Sequence, residues 1–547
     1  MSDSIYKAIR NSYQETGELP YSFQDVSEAG KEDMQASIWE ESDLRGDDMI
    51  RECLRTIKKI KEHIDNDGSD INLYLYLKEH PFAMYIEMFN DFLRAHIVEG
   101  YFEIDTIYNF GVRLATQSGF ESLVKLGIII MGNFENDYTK KVMMTLGYHS
   151  EFTMYVLTAT ERFSSYPEIV KEFLKNTDGY GRFASTVRFK PITEEQKKYY
   201  VEEIPYSTLY VKRDLCTYIL VDLMVEEYIK NIEVTEENYS KLSYLIAYSL
   251  IESDIMNFPV IKILIPKFVE KASKNASNYM DLAALVSIKS GIEIYLEMIY
   301  EEDEDDWGKE KYKRIIEKCD KVLKEMDYET LIMDELSDND DFHIEEAEMM
   351  MNVLSYLQDS YDYLPSDDVF IIVFGRVPFY FEMIDFFLIK NAEVYYNMVK
   401  DIIDMTIPDE VYTDKRSTKE AYVEYLPDVW LVYLLQAYKT FEEYDEEFFL
   451  KCLYARFRDV RIEAAIVLRH FKDQWSEEAK QKILDFVEEE PDKNLRKYVL
   501  KTIARYKILP IEEEDLSDND EFDENMLLDN FIDTEKIIPF DFNRKKR

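Results

Sequence analysis

The most unusual short sequence in this chain is Asp178-Gly179-Tyr180-Gly181-Arg182-Phe183, which places two glycines beside an arginine. Because the chain has only 15 glycines in 547 residues, two of them within three positions stand out. A rigid glycine turn can present a cationic side chain to an anionic group, and Arg188 follows shortly after. Gly179, Gly181, Arg182 and Arg188 are therefore a candidate contact with a ligand or partner. The alternative is a tight turn between helices that needs a positive φ.

A second candidate is the string LSDND, which begins at Leu336 and again at Leu516. Each copy is followed by an acidic residue and a phenylalanine, Phe342 in the first and Phe522 in the second. Both copies lie in strongly acidic stretches, where dense like charge favours extended, solvated loops. One interpretation is a duplicated docking motif with Leu336, Phe342, Leu516 and Phe522 as anchors for a basic groove. The other is chance similarity between two acidic segments.

Residue types that carry catalysis or bind metals are poorly placed in this sequence. The six histidines include no H-x-x-x-H pair and no E-x-x-H motif, which argues against zincin and di-iron sites. The four cysteines lie more than 100 residues apart, and no G-x-S-x-G motif occurs. Glycines are too scarce for a dinucleotide or phosphate loop. We predict no catalytic residue, no metal site, no cofactor-binding residue and no cofactor.

The charge of the chain narrows its partners. Lys and Arg number 65 and Asp and Glu 111, so the formal net charge is −46. Such a surface repels phosphate backbones, which argues against nucleic acid and favours a basic protein partner. The N-terminus has no apolar signal segment, and the longest apolar stretches are interrupted by Lys125 and Arg376. We therefore expect a cytoplasmic protein that does not enter a membrane.

The elements that would position these residues are helices. Gly375 is the last glycine, so 172 residues follow without the residue that β-turns use most readily. A pattern that begins at Asp459-Val460-Arg461 returns 35 residues later as Asn494-Leu495-Arg496, each time before apolar residues at helical spacing. A repeat of this length predicts a helix hairpin whose apolar face is buried by its neighbours.

Residues 452–506 resemble HEAT repeats, because DVRIEAAIVL and NLRKYVLKTI look like the second helices of that family. The resemblance implies an all-α superhelical array of antiparallel helix hairpins. It also implies structural roles for Asp459, Arg461 and Arg496 in the stacking of adjacent repeats. A fainter likeness over residues 80–225 is to bacterial helical-repeat proteins, some of which are labelled limonene hydroxylase.

We predict five segments in the chain. A polar N-terminal segment (1–45) precedes a helical array (46–300), an acidic connecting region (301–350), a HEAT-like array (351–510) and an acidic tail (511–547). The predicted function is a non-enzymatic scaffold that binds a protein partner on its concave face. Two alternatives stay open: a hydroxylase-like enzyme for a small apolar compound, and an immunity or inhibitor protein against a basic toxin.

Overall fold

A computed structural model describes residues 4–16, 29–38, 46–251, 259–298, 308–338, 342–376, 380, 383–419, 421, 426–441 and 444–505. Within these ranges the regular secondary structure is helical and no strand occurs, so the all-α prediction is confirmed. The chain divides into two compact units, Met1–Leu331 and Ile332–Arg547. The division falls within one helix, and each unit is described by itself below.

The helices of unit 1 follow one another with short connections. They are α1 (Ile5–Thr16), α2 (Lys31–Ile38), α3 (Gly46–Asp65), α4 (Asp70–Glu79), α5 (Ile86–Val98), α6 (Ile104–Gln117), α7 (Glu121–Met131), α8 (Asp137–Gly147), α9 (Ser150–Thr160), α10 (Tyr166–Asn176), α11 (Gly179–Arg188), α12 (Glu194–Lys198), α13 (Ile204–Tyr206), α14 (Lys212–Val221), α15 (Glu226–Asn231), α16 (Tyr239–Leu250), α17 (Pro259–Asn275), α18 (Tyr279–Met298) and α19 (Gly308–Leu323). Short 3₁₀ turns span Ala83–Tyr85 and Leu223–Val225, and a π-helix spans Tyr199–Glu203.

Helix α20 (Tyr328–Asp338) contains the division between the units, and the remaining helices belong to unit 2. These are α21 (Ile344–Tyr361), α22 (Asp367–Arg376), α23 (Ala392–Thr406), α24 (Glu410–Thr413), α25 (Leu426–Phe441), α26 (Glu446–Leu453), α27 (Arg458–His470), α28 (Glu477–Glu489) and α29 (Lys493–Arg505). A π-helix spans Ile384–Lys390 and a 3₁₀ turn spans Lys472–Gln474.

The helix starts follow from the sequence. Polar side chains accept hydrogen bonds from the otherwise unpaired first amides: Asn136 at α8, Asp178 at α11 and Ser476 at α28. Thr193 and Gln196 form a capping box at α12. Such caps define where each helix begins and so fix the short turns that carry the candidate site residues.

The core of unit 1 is built around helices buried on nearly all sides. Helix α9 has every residue buried except Glu151, and it contacts α5, α7, α8, α10 and α11. Farther along, α16 takes the same central position between α14 and α18. Contacts thus link a helix to the one two positions later, as in α7–α9, α9–α11, α14–α16 and α16–α18. In unit 2 the same relation joins α25 to α27, α26 to α28 and α27 to α29.

Candidate functional site

The glycine motif forms the first turn of α11 and lies inside unit 1. Asp178 precedes the helix, and its carboxylate accepts a hydrogen bond from the Gly179 amide at 2.7 Å. Gly179 has φ +57°, a left-handed conformation that favours glycine. Gly181 has no positive φ and belongs to the regular helix. The two glycines therefore serve different purposes, and only the first supplies the turn.

Gly181 is needed because α11 passes very close to α9. A Cβ at this position would lie 2.8 Å from Thr153 Oγ1, 2.9 Å from Ser150 Oγ and 3.1 Å from Ser150 Cα. These distances are shorter than a normal carbon contact, so the two helices would have to separate. Gly181 is thus a packing residue of the α9–α11 contact.

Replacing Gly181 by alanine is expected to lower the free energy of unfolding by about 1–3 kcal/mol, because the methyl group overpacks the α9–α11 contact. Gly375→Ala is the matched control: Gly375 is also helical, and its Cβ would meet nothing within 4 Å. That variant should be neutral or stabilised by about 0.5–1 kcal/mol. Urea unfolding and hydrogen exchange of the α9 and α11 amides would measure both. Equal stability of the two variants would contradict the close approach.

The prediction that Arg182 is presented to an anionic group is wrong in this structure. Arg182 is only 8 % exposed, and its guanidinium donates to the Ser207 carbonyl at 2.9 Å and to Ser207 Oγ at 2.8 Å. Arg188 points elsewhere and pairs with Glu87 at 2.6 Å, with Thr158 Oγ1 at 3.3 Å. The two arginines do not converge on one site, because each bonds to a different segment of unit 1.

Asp178 makes this region a junction between three helix starts. Its carboxylate accepts from the amides of Leu209 and Tyr210, which precede α14, as well as from Gly179. Its carbonyl accepts from Ser150 Oγ at the start of α9. Val211 follows with φ +59°, an unusual value for a β-branched residue that costs about 1–3 kcal/mol. The hydrogen bonds to Asp178 hold this strained turn in place.

A second polar cluster in unit 1 was not expected from the sequence. The Lys125 ammonium on α7 pairs with Asp33 on α2 at 2.5 Å and with Glu151 on α9. The other Glu151 oxygen accepts from the Gly30 amide at 2.7 Å, just before α2. Lys125 therefore joins α2 to α7 and α9. The one charged residue within the apolar run LVKLGIII was the available signal, but its partners lie far away in sequence.

The pKa of Lys125 is shifted in the direction opposite to that of a catalytic lysine. Burial alone would lower the pKa of Lys125, but the charges of Asp33 and Glu151 outweigh burial and raise it above its ordinary value. Burial, assisted by the Lys125 charge, lowers the pKa of His149 to about 4. Lysine nucleophiles need a lowered pKa, which desolvation without a paired carboxylate provides. The arrangement therefore suits an ion pair that holds helices together.

Leu336 and Phe342, the two proposed anchors of the first copy, lie in the folded core of unit 2, so the prediction that they are exposed is wrong. Leu336 is fully buried and Phe342 is 5 % exposed. The Arg376 guanidinium lies 5.7 Å from the Phe342 ring and donates to the Leu336 carbonyl at 2.5 Å. The neighbouring acidic residues lie mostly on α20 and α21 and not in an extended loop. Leu516 and Phe522 lie outside the described residues.

The repeat residues of unit 2 form a dense network at the start of α27. Arg461 is fully buried, and its guanidinium makes two 2.9 Å contacts with the buried carboxylate of Glu490, which follows α28. It also donates to the carbonyls of Ala455, Arg456 and Ser417 at 2.7–3.0 Å. Asp459 accepts from the Ala421 amide at 3.0 Å. Arg461 thus joins α27 to the turn before α29.

Arg496 repeats one of these contacts at the start of α29. It donates to the Glu490 carbonyl at 2.7 Å, just as Arg461 donates to the Ala455 carbonyl at 2.9 Å. Donor and acceptor both shift by 35 residues between the two contacts, which is the period found in the sequence. The sequence repeat is therefore also a repeat of this hydrogen bond, at the start of α27 and at the start of α29.

The part of the chain that the structure describes contains no group of three His, Cys, Asp or Glu side chains that is placed to hold a metal ion. All four cysteines are buried, and burial raises the pKa of Cys53 to about 11 and of Cys319 to about 12. An apolar cavity that Leu468, Trp475 and Val499 help to line has an interior of about 10 Å³, the size of one water.

Exposed apolar side chains collect at one edge of unit 1. The ring of Phe189 stacks on Tyr200 at 6.1 Å, and the Tyr200 hydroxyl donates to Asp222 at 2.9 Å. These contacts join the turn after α11 to the turn after α14. Around them lie five large apolar residues, called the apolar rim below, with exposures of 37–80 %: Ile192, Tyr199, Val221, Leu223 and Met224.

Comparison with known proteins adds no relative. No protein-family model, curated protein or solved structure matches the chain. Within the described ranges no helix combines the length and apolar character needed to cross a bilayer.

Proposed function

We propose that this protein is a non-enzymatic helical scaffold that binds a protein partner, and that the apolar rim of unit 1 is part of the binding surface. The rim carries the proposal, because single exposed apolar residues are common on folded proteins, whereas several of them grouped around adjoining turns are typical of an interaction site. Leu223 is 80 % and Ile192 is 79 % exposed. Aromatic, methionine and aliphatic side chains together are typical of the centre of a protein interface.

The proposed architecture behind this surface is an α-solenoid, HEAT-like at residues 452–506. Two observations support it: helices contact those two positions later in both units, and the hydrogen bond from Arg461 recurs 35 residues later at Arg496. Stacked repeats of this kind create long surfaces that bind other proteins. In this proposal the tail (511–547) follows the last repeat.

A basic partner is the proposed complement to the charge of the chain. At a net charge of −46, long-range attraction would accelerate encounter with a basic protein, while contacts at the rim would hold it. Association should therefore weaken as salt rises toward 0.5 M, because at that ionic strength the attraction between exposed charges extends over only a few ångströms.

The double variant Leu223→Ser with Ile192→Ser is expected to lose stoichiometric partner binding, because it removes the two most exposed apolar side chains of the rim. Val98→Ser is the matched control, since Val98 is 79 % exposed but lies at the end of α5, outside the rim. The tagged wild-type chain and both variants would be used for affinity capture from the native host, followed by binding titration with the purified partner.

We expect the double variant to bind at least tenfold more weakly than the wild type and the Val98 variant to bind normally. Equal binding by both variants would remove the rim from the interface. A wild-type chain that captures no stoichiometric protein under low salt would contradict the scaffold itself.

A further inference from the structure

Arg496 makes fewer hydrogen bonds to the described residues than its counterpart Arg461 does. All three guanidinium nitrogens of Arg461 donate, and the Glu490 carboxylate pairs with two of them. Arg496 keeps the donation to a backbone carbonyl of its own hairpin. Its Nε is buried and has no acceptor among the described residues. A buried donor left without an acceptor costs about 1–3 kcal/mol, so this position favours an incoming carboxylate.

The carboxylates of the turn before α29 are already used by the preceding hairpin. Both oxygens of Glu490 contact Arg461, and the Asp492 carboxylate accepts from Arg458 Nε at 2.7 Å. Both carboxylates are thus bound by arginines of α27, and neither accepts a hydrogen bond from Arg496. A carboxylate for Arg496 must come from elsewhere.

Helix α29 also carries a charge opposite to that of the whole chain. Its sequence, KNLRKYVLKTIAR, contains five basic residues and no acidic one, in a protein of net charge −46. The following chain has the complementary composition, since residues 512–524 contain nine acidic residues and no basic one. Opposite charges at this density attract strongly over the first few ångströms.

We propose that the acidic segment 512–524 of the same chain binds along α29 and supplies Arg496 with the carboxylate that Glu490 supplies to Arg461. Glu490 follows Arg461 by 29 residues, and the same interval from Arg496 leads to residue 525, directly after Asp523 and Glu524. This contact requires no partner protein, so it stands independently of the proposed function.

The chain between α29 and Glu512 is long enough for the acidic segment to fold back along the helix. From Arg505 back to Arg496 the helix rises about 14 Å, at about 1.5 Å per residue. The seven residues from Arg505 to Glu512 span up to about 23 Å when extended, at about 3.3 Å per residue. Every acidic residue of 512–524 can therefore reach the α29 surface without disturbing the helix.

Zero-length carbodiimide crosslinking of the full chain, read by mass spectrometry, tests the proposal. We expect crosslinks between lysines of α29 and carboxylates of 512–524, reduced at least fivefold by 0.5 M salt. The variant Asp523→Asn with Glu524→Gln should lose at least fivefold of them and show faster hydrogen exchange in α29. Asp533→Asn with Glu535→Gln is the matched control, because it removes the same charge farther along the tail and should keep the wild-type pattern.

Three outcomes would overturn the proposal. Two of them are the absence of crosslinks between 512–524 and α29 and an equal loss of crosslinks in the control variant. The other is found by mixing isotopically heavy and light protein: crosslinks that join one heavy and one light peptide would show that the segment comes from a second copy. Because both variants alter only the tail, a thermal melt identical to the wild type in unit 2 would show that the repeats stay folded.

Discussion

Replacing Arg461 by methionine is expected to lower the free energy of unfolding of unit 2 by about 3–5 kcal/mol, the usual cost of removing one partner of a buried ion pair. Methionine keeps much of the aliphatic volume but leaves the fully buried Glu490 carboxylate without its cation. It also removes the donor for the Ala455, Arg456 and Ser417 carbonyls. Urea unfolding, with hydrogen exchange resolved over α27 and α28, would measure the loss.

The double variant Arg461→Met with Glu490→Leu should recover part of this loss, because no uncompensated charge then stays buried. Arg51→Met is the surface control: Arg51 also pairs with a carboxylate at 2.8 Å, but its side chain is 75 % exposed. Exposed pairs of this kind contribute about 0–1 kcal/mol. An Arg461 variant as mild as the Arg51 variant would mean that this network does not hold α27 to the turn before α29.

Replacing Lys125 by methionine is expected to destabilise unit 1 by a similar amount, about 3–5 kcal/mol. The substitution leaves two carboxylates, Asp33 and Glu151, facing each other without a cation. Their repulsion should also release α2, which is attached to the body of unit 1 partly through Asp33. Thermal unfolding and hydrogen exchange of the α2 amides would show both effects.

The pH dependence of stability distinguishes this cause from simple loss of packing. Because the pKa of Lys125 is raised in the folded state, its contribution is complete below the ordinary lysine value of about 10.4 and is lost as pH rises through the higher folded value. The wild type should therefore lose more stability than the variant at strongly alkaline pH.

A second variant and a control complete this test. Adding Glu151→Gln to Lys125→Met should restore part of the stability, because it removes one of the two facing carboxylates. Lys230→Met is the control, since Lys230 forms a 2.5 Å pair with Glu226 while 43 % exposed, and this change should leave the stability close to that of the wild type. A Lys125 variant as stable as the Lys230 variant would contradict the role of Lys125 in holding Asp33 and Glu151 together.

The class of fold was predictable because it follows from local rules. Scarce glycine and proline, together with apolar residues at helical spacing, predicted helices, and the described chain is helical. The density of charge at 334–348 predicted an extended, solvated loop, but most of the acidic residues in this stretch lie on α20 and α21. Leu336 on α20 is buried, and on α21 the six consecutive residues 346–351 are all buried, so even Glu346 and Glu348 belong to a packed helix.

The candidate site was less predictable, because its contacts join residues that are distant in sequence. The glycine motif indicated an unusual place correctly, but whether Arg182 faced solvent depended on Ser207, 25 residues later. Lys125 finds Asp33 across 92 residues, a pairing that no local pattern encodes. The 35-residue period did reveal Arg461 and Arg496, because repetition turns a distant contact into a visible sequence rule.

The buried cysteines can report transient local unfolding of the protein without an added label. Cys53 and Cys319 have their pKa raised by burial to about 11 and about 12, and Cys452 is fully enclosed in unit 2. A thiol reagent can react with such a group only during moments when the surrounding helices come apart. Pulsed alkylation of the unmodified protein would therefore time the local breathing of α3, α19 and α26 separately, without an engineered probe.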